Sequence, residues 1–270
     1  MKSCNIFFHV LISLFIVVCS ACSSDDDFDS RAKYLPAKII SEGEISSTVT
    51  TYSYDDNNRL TGVVKTDTYQ EDNIRNEISL AIIYDDFGKI SSVIKKTEAG
   101  DLLFGMSTEI RDTVNFYYDG TSIHTKNSIT EINNKNRVVA HRVFDESGSN
   151  EISSIKYKYD FAGNLSEFLF SDGEVVYSYL YTYEYDDNNG IFKDVNIPQW
   201  FLITQLDEKL NFAGNSVQET FIATDKDPVT TTRTYTYNSD GYPVSESVYY
   251  AGYSLTVNVK PIKIEYISGK

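Results

Sequence analysis

The sequence predicts an all-β protein: a single antiparallel β-meander of roughly 12–16 strands, strongly curled or closed into a barrel-like shell, with one short helical insertion near residues 197–210. Three observations predict it. Stretches such as Tyr52-Ser53-Tyr54-Asp55-Asp56-Asn57-Asn58 alternate apolar and polar residues and then crowd Asp and Asn together, and the pattern recurs along the chain. Its copies step by 30 residues from Asp55 to Asp85 and by 26, 25 and 27 residues from Asp160 onward, enough each time for two strands of roughly ten residues and two turns. All three cysteines, Cys4, Cys19 and Cys22, stand at the extreme N-terminus, so the body beyond them holds together by packing without a disulfide.

Taken in order, residues 1–21 read as a lipoprotein signal peptide. Lys2 supplies a positive end, and Ile6 to Val18 is an apolar run of 13 residues interrupted by His9 and Ser13. That is short of the roughly 20 residues that span a bilayer and matches the apolar segment of a secretory leader. Small residues, Ser20 and Ala21, stand directly before Cys22 and resemble the lipobox of bacterial lipoproteins, with Cys19 where that motif usually carries an aliphatic residue. The resemblance implies cleavage before Cys22 and lipid attachment to its thiol. Residues 22–36 are expected to be an acidic flexible tether. Its run Ser23-Ser24-Asp25-Asp26-Asp27 also resembles the surface-export signal of Bacteroidota lipoproteins. The expected address is the outer membrane, lipid-anchored and exposed at the cell surface, with the periplasmic leaflet as the alternative.

Residues 37–270 are expected to form one repetitive antiparallel β domain. Aligned on the first turn residue, the copies open at Asp55, Asp85, Asp160, Asp186, Asn211 and Asn238, and three residues later each carries Gly or Asn: Asn58, Gly88, Gly163, Asn189, Gly214 and Gly241. Gly and Asn tolerate positive φ, and an opening Asp or Asn accepts backbone hydrogen bonds, so each copy reads as a hairpin turn closed by a left-handed residue. Before the turn, Tyr52 and Tyr54, Ile82 and Tyr84, Tyr157 and Tyr159, Tyr183 and Tyr185, and Tyr235 and Tyr237 recur at period two, the mark of a strand with one buried face. The Asn211 copy lacks this pair. Leu60, Ile90, Leu165 and Ile191 are expected to begin the return strands. Turns at the opposite edge are expected at Glu98–Asp101, Ser171–Gly173, Asp225–Pro228 and Ala251-Gly252. Between Asp85 and Asp160 the pattern loosens, with further turn signals at Asp119-Gly120, Asn133–Asn136 and Glu146–Gly148. The exception to strand character is Asn196-Ile197-Pro198, a helix-start signal followed by Trp200 and Phe201, with Ile197, Trp200, Phe201 and Leu210 placed to share one face.

The tyrosine–aspartate hairpins resemble the YD repeats of Rhs-type shells. Together with the leader and the size, the chain resembles a Bacteroidota cell-envelope lipoprotein family of unknown function with a porin-like β fold. That family brings no catalytic residues to carry over. A membrane-spanning barrel is the architectural rival, since Lys156, Lys158, Glu184 and Arg233 would suit a water-filled lumen.

Signals of chemistry are sparse. His124 and His141 lie in strand-like surroundings without a metal-ligand spacing, and no nucleophile elbow or phosphate-cradling glycine loop is present. The Asp186-Asp187-Asn188-Asn189-Gly190 cluster lacks the spaced ligands and closing Glu of a calcium loop. No catalytic residue, metal or cofactor is therefore expected. A formal net charge of −15 makes nucleic acid and anionic lipid surfaces poor partners. The expected function is non-enzymatic binding or scaffolding at the cell envelope, of a glycan or an envelope protein, with Trp200, Phe201 and Tyr183 as candidate ligand contacts. Two alternatives remain open: a carrier of a hydrophobic ligand inside the curled sheet, and a glycoside hydrolase-like enzyme using strand carboxylates.

Overall fold

Alternation of one buried and one exposed residue dictates strands, and the computed structural model forms them along almost the whole chain from Tyr34. It describes residues 33–69, 74–101, 106–173, 178–206, 212–223, 226–250 and 261–270. The leader, Cys22, most of the tether, and the Ala251-Gly252 and Asn211 positions lie outside the described residues.

The first strands are β1 (Tyr34–Glu42), β2 (Ser46–Tyr54), β3 (Leu60–Tyr69), β4 (Ile74–Tyr84), β5 (Ile90–Asp101) and β6 (Met106–Asn115). Three short ones follow, β7 (Tyr117–Asp119), β8 (Ser122–His124) and β9 (Ser128–Ile132). The wall then continues through β10 (Val138–Phe144), β11 (Glu151–Tyr159), β12 (Leu165–Asp172) and β13 (Ser178–Tyr185). After helix α1 (Gln199–Gln205) come β14 (Ser216–Ala223), β15 (Val229–Tyr237), β16 (Pro243–Tyr250) and β17 (Ile262–Ser268). Apart from β6 and β7, each strand lies antiparallel to its chain neighbour, and β1 pairs with both β2 and β17, which bends the meander into a ring. One seam remains. The β6 strand pairs with β5 and β7 pairs with β8, and the two are pieces of a single run bent at Phe116, whose N–H is held by the Ser91 carbonyl at 2.9 Å. That break, and the tight turns around β7 to β9, bring the count among the described residues to seventeen, against the expected roughly 12–16.

Two expected boundaries move. Strand β1 begins at Tyr34, inside the segment assigned to the tether, because Leu35 is buried and the Tyr34 N–H is held by the Asp194 carboxylate at 2.8 Å. Glu98–Asp101 is not a turn: β5 runs through it, with Gly100 opposite Arg75 on one side and Ser107 on the other. Partners on both flanks outweigh the local turn preference of Gly and Asp.

One end of the barrel is built by the Asp and Asn turns. Openings at Asp55, Asp85, Asn133, Asp145, Asp160 and Asn238 each accept an N–H from the residue three positions on. That closing residue is left-handed in all six, from Asn136 at φ 57° to Gly163 at φ 102°. The opening side chain also accepts backbone N–H groups further round the turn, as Asp55 does from Asn57 at 2.9 Å and Arg59 at 3.0 Å. Adjacent hairpins are then interlocked by tyrosines. The hydroxyls of Tyr54, Tyr84, Tyr118, Tyr235 and Tyr266 donate to the carbonyls of Pro36, Leu60, Ile90, Ser216 and Pro243, at 2.7–2.9 Å. A basic residue four positions after three of the turn openings covers the next tyrosine ring: Arg59 over Tyr84, Lys89 over Tyr118, and Arg137 over Tyr159, at 4.5–5.5 Å.

The buried stripe of each strand faces inward, Tyr52, Ile82, Phe116, Tyr157 and Tyr183 among it. Its neighbours along each strand therefore face out. Lys156, Lys158 and Glu184 are exposed on that outer face, and Lys158 pairs there with Glu167 at 2.7 Å. Their place on the outside, not in the lumen, gives the described exterior charges where a lipid-spanning barrel carries an apolar band. Arg233 alone of the four points inward, between Glu219 and Glu246.

Candidate functional site

A ring of this many strands is too wide for wall side chains alone to fill. The chain solves this at one end with a segment it inserts between β13 and β14. Asp186 ends β13 where the other copies open their turns, but Asn189 is not the expected left-handed closing residue, since its N–H goes to the Gly241 carbonyl, and the return strand does not begin at Ile191, which is buried in the inserted segment. Instead the backbone N–H of Asn215 donates to Asp186 Oδ1 at 2.9 Å, and Asp186 N–H donates to the Asn215 carbonyl at 3.1 Å. These are the bonds that Arg59 makes to Asp55 in an ordinary copy. Gly214 lies so close that a Cβ would stand 2.6 Å from the Asp186 carbonyl oxygen. The Asp186 and Asn211 copies are thus the two halves of one hairpin, split by the insertion. The calcium-like cluster is part of this lock: Asp186 also accepts from the Tyr237 hydroxyl and the Asn188 N–H. Among the described residues no group of three or more His, Cys, Asp or Glu is placed to hold a metal ion.

The insertion is sutured to the surrounding turns. Asn196 N–H donates to the Asn58 carbonyl, Asn189 N–H to the Gly241 carbonyl, and the Tyr242 hydroxyl to Asp194, at 2.5–3.0 Å. From there α1 rises into the lumen. It spans Gln199–Gln205, shorter than expected, and Leu210 lies outside the described residues. Trp200, Phe201, Leu202 and Ile203 are all buried. Four consecutive apolar residues leave no polar face, which suits a helix enclosed on every side. Trp200 meets Phe116 edge-on at 5.1 Å and Phe201 at 5.6 Å, and Phe192 meets Tyr52 at 5.6 Å.

The three candidate contact residues are therefore core. Trp200 is 3 % exposed and Phe201 0 %, both in the plug, while Tyr183 is 9 % exposed on the β13 wall and stacks parallel to Tyr181. The structure does not bring them to one accessible surface. Burial pushes the Tyr183 hydroxyl pKa upward, as expected of a phenol that stays neutral in a packed wall. His141 on β10 shares a 2.9 Å hydrogen bond with Thr130 on β9, and burial lowers its pKa. Glu219 and Glu246 both engage Arg233, at 3.2 and 3.3 Å, and burial raises the Glu246 pKa.

Above the plug the lumen stays open. A cavity of about 610 Å³ lies between the tip of α1, at Gln205 and Leu206, and the inner wall of β2 to β6. Its apolar lining comes from Tyr52, Val63, Ile78, Leu80, Val93 and Val114. Its polar lining comes from Thr50, Lys65, Lys95 and Asp112. The ladders set these in two rows: Tyr52 opposite Val63, Val63 opposite Leu80, Leu80 opposite Lys95 and Lys95 opposite Asp112, then Thr50 opposite Lys65 and Lys65 opposite Ile78. Sequence reasoning did not single out Lys65 and Lys95. The available signal was the triplet spacing Leu60/Val63 and Ile90/Val93, buried pairs three apart that betray a bulge and place the next alternate residue, a lysine in both, on the inner face.

Compared with solved structures, the chain is similar to a porin-like protein from Bacteroides uniformis at 15% identity, covering 80% of this chain and 100% of that one, with a TM-score of 0.42. It is also similar to a porin-like protein from Bacteroides vulgatus at 14% identity, covering 87% and 99% of the two chains, with a TM-score of 0.45. No family model matches the sequence. No curated protein matches it either.

Proposed function

We propose that this protein is a non-enzymatic lipoprotein of the outer membrane, held through a lipid on Cys22, that binds a ligand in its half-plugged barrel. The carrying observation is the lumen itself: narrowed by the insertion at the turn end and left as a cavity of about 610 Å³ above α1. That volume is in the range of small-molecule sites, and its walls are largely apolar with a few convergent polar groups. The direction of the chain supports the anchored reading. Lys33, the first described residue, sits at the plugged end, where its carbonyl accepts the Gly269 N–H at 2.9 Å. The mouth opens at the opposite end. Phe87 and Phe161 stand fully exposed on turns at the plugged end, where an anchored barrel meets lipid. Exposure at the cell surface, as the acidic stretch after Cys22 implies, would let the mouth meet glycans or other envelope molecules.

Residues 23–270, screened against a glycan array and an envelope extract, test the binding reading. A ligand is expected whose capture is abolished by Leu80→Trp, which fills the cavity. Silence against both panels, or capture that Leu80→Trp leaves unchanged, overturns binding in the lumen. Cys22→Ser tests the anchor: the variant is expected in the soluble fraction, and continued membrane association refutes lipidation at Cys22.

A further inference from the structure

We propose that the ligand of this lumen is an anionic single-chain amphiphile, a long-chain carboxylate, lying with its chain on the apolar row and its head at Lys65 and Lys95. The inference rests on the reading of the lumen as a binding cup and names the class of molecule the cup takes. The apolar row lies next to the plug. Val93 opposite Val114, and Val63 opposite Leu80, form it on the wall, and Leu206 closes it from the helix side. A lysine stands one inward position beyond Val63 and another one beyond Val93, both further toward the mouth. Along β3 and along β5 the inner face thus passes from valine to lysine toward the mouth, with Ile78 and Leu80 of β4 level with the two lysines, so a fatty acid can lay its chain inward against the valines and Leu80 and turn its head to the ammonium groups.

The charges facing these ammonium groups are few and partly engaged. Lys65 approaches Asp67 at 3.8 Å, the outer limit of an ion pair, and Asp67 is itself bound by the Thr48 hydroxyl at 2.6 Å. Asp112 lies opposite Lys95 in the ladder, and its Oδ1 accepts the Thr113 N–H at 2.7 Å. No ion pair joins Lys95 to a carboxylate among the described residues. Both lysines are exposed although they point into the barrel, so the lumen around them is wide enough for a head group. In a chain of net charge −15, two lysines gathered on the inner face of a cavity mark the place where a carboxylate gains a charge-assisted hydrogen bond without burying either partner unpaired.

The test titrates residues 23–270 with 11-(dansylamino)undecanoate, followed by displacement with palmitate and with hexadecanol. Saturable enhancement of the dansyl emission is expected, reversed by palmitate at about tenfold lower concentration than by hexadecanol. Lys65→Gln with Lys95→Gln is expected to weaken the carboxylate by about tenfold and leave the alcohol unchanged, since both lysines are solvent-facing and their loss spares the core. Leu80→Trp is expected to abolish both, its fold checked by circular dichroism. Equal displacement by the alcohol, or an unchanged double variant, overturns the head-group assignment while leaving the cup standing. Dansyl binding that survives Leu80→Trp places the carboxylate elsewhere and overturns the inference. No binding of either chain also overturns it, and the cup is then judged separately by the glycan and extract screens.

Discussion

Replacing Asp186 by Ala should loosen the plug before it loosens the barrel. At an ordinary turn such as that of Asp85, the carboxylate accepts the N–H groups of Phe87 at 2.9 Å and Lys89 at 2.8 Å, both local and exposed to water. Water takes its place in Asp85→Ala, at a cost of about 1 kcal/mol. Asp186 instead holds Asn215, a fully buried residue 29 positions on, through its backbone N–H at 2.9 Å and its side-chain amide at 3.3 Å, and also holds the Tyr237 hydroxyl. Asp186→Ala orphans the Asn215 N–H where water reaches it poorly, frees the Tyr237 hydroxyl, and leaves the Asn215 amide with the Asn189 carbonyl at 2.9 Å. At about 1–3 kcal/mol for each unsatisfied buried group, the loss is on the order of 3–5 kcal/mol. For a domain of this size that lowers Tm by roughly 10 °C. Trp200 is the single tryptophan and sits in the plug, so its fluorescence reports plug docking while far-UV circular dichroism reports the sheet. In urea the Asp186→Ala emission should shift red at a lower concentration than the loss of β signal, with the two transitions coincident in Asp85→Ala. Equal destabilisation by the two substitutions, or coincident transitions in both, would refute the split-hairpin reasoning.

Tyr84→Phe keeps the ring and strands the buried Leu60 carbonyl, which accepts its hydroxyl at 2.8 Å. Chemical denaturation should show a loss of about 1–2 kcal/mol. Burial pushes Tyr84 and Tyr118 up to about 12. Their folded pKa values are raised above the unfolded value near 10, so the stability they contribute is full below about pH 10 and is lost as pH rises toward 12. Phenolate absorbance should therefore rise in a cooperative step that coincides with unfolding. Gly214→Ala places a Cβ 2.6 Å from the Asp186 carbonyl oxygen, and the forced shift should cost about 1–3 kcal/mol by thermal denaturation. Asn58→Gly retains the left-handed turn but removes the amide clasp in which Nδ2 donates to the Lys270 carbonyl at 2.8 Å and Oδ1 accepts the Lys270 N–H at 2.9 Å. About 1–2 kcal/mol should be lost, with hydrogen exchange quickening first along β17.

The hairpins were legible because their physics is local. An Asp or Asn followed three residues later by a positive-φ residue specifies the turn, and the tyrosines at period two specify the strand before it. The split copy was not legible for the same reason. Asp186 has a good strand before it and none directly after, whereas Gly214-Asn215-Ser216 has a strand after it and no tyrosine pair in the sequence before it. Each half reads alone as a degenerate repeat, and it is the pairing of β13 with β14, ending at Tyr185 and Ser216 and continued by the Asp186–Asn215 bonds, that joins them. Helix α1 was announced by Pro198, but its apolar residues were expected on one face, and enclosure on every side shows only when the ring closes around it. The inward lysines were hidden by the bulges. A register shift accompanies the Tyr54/Leu60 and Tyr84/Ile90 pairs, so alternation counted from Leu60 or Ile90 assigns Lys65 and Lys95 to the wrong face. Trp200, Phe201 and Tyr183 attracted attention as aromatics suited to a ligand, yet a barrel this wide consumes its aromatics as filling.

That need for filling explains why the cavity lies where it does. Wall side chains reach only part of the way to the axis of so broad a ring, and the tyrosine interlocks and the insertion occupy the turn end. Strands β4, β5 and β6 continue well past the tip of α1, and their inner faces there change from Ile82, Val93 and Val114 to Lys95 and Asp112. A wall built only to be packed would remain apolar up to its rim, as it does around Phe116 and Trp200. A wall meant to face bulk water throughout would not keep Leu80 and Ile78 among those charges. The mixture is what a lumen needs if it is to hold, part of the time, a molecule with an apolar body and a charged end.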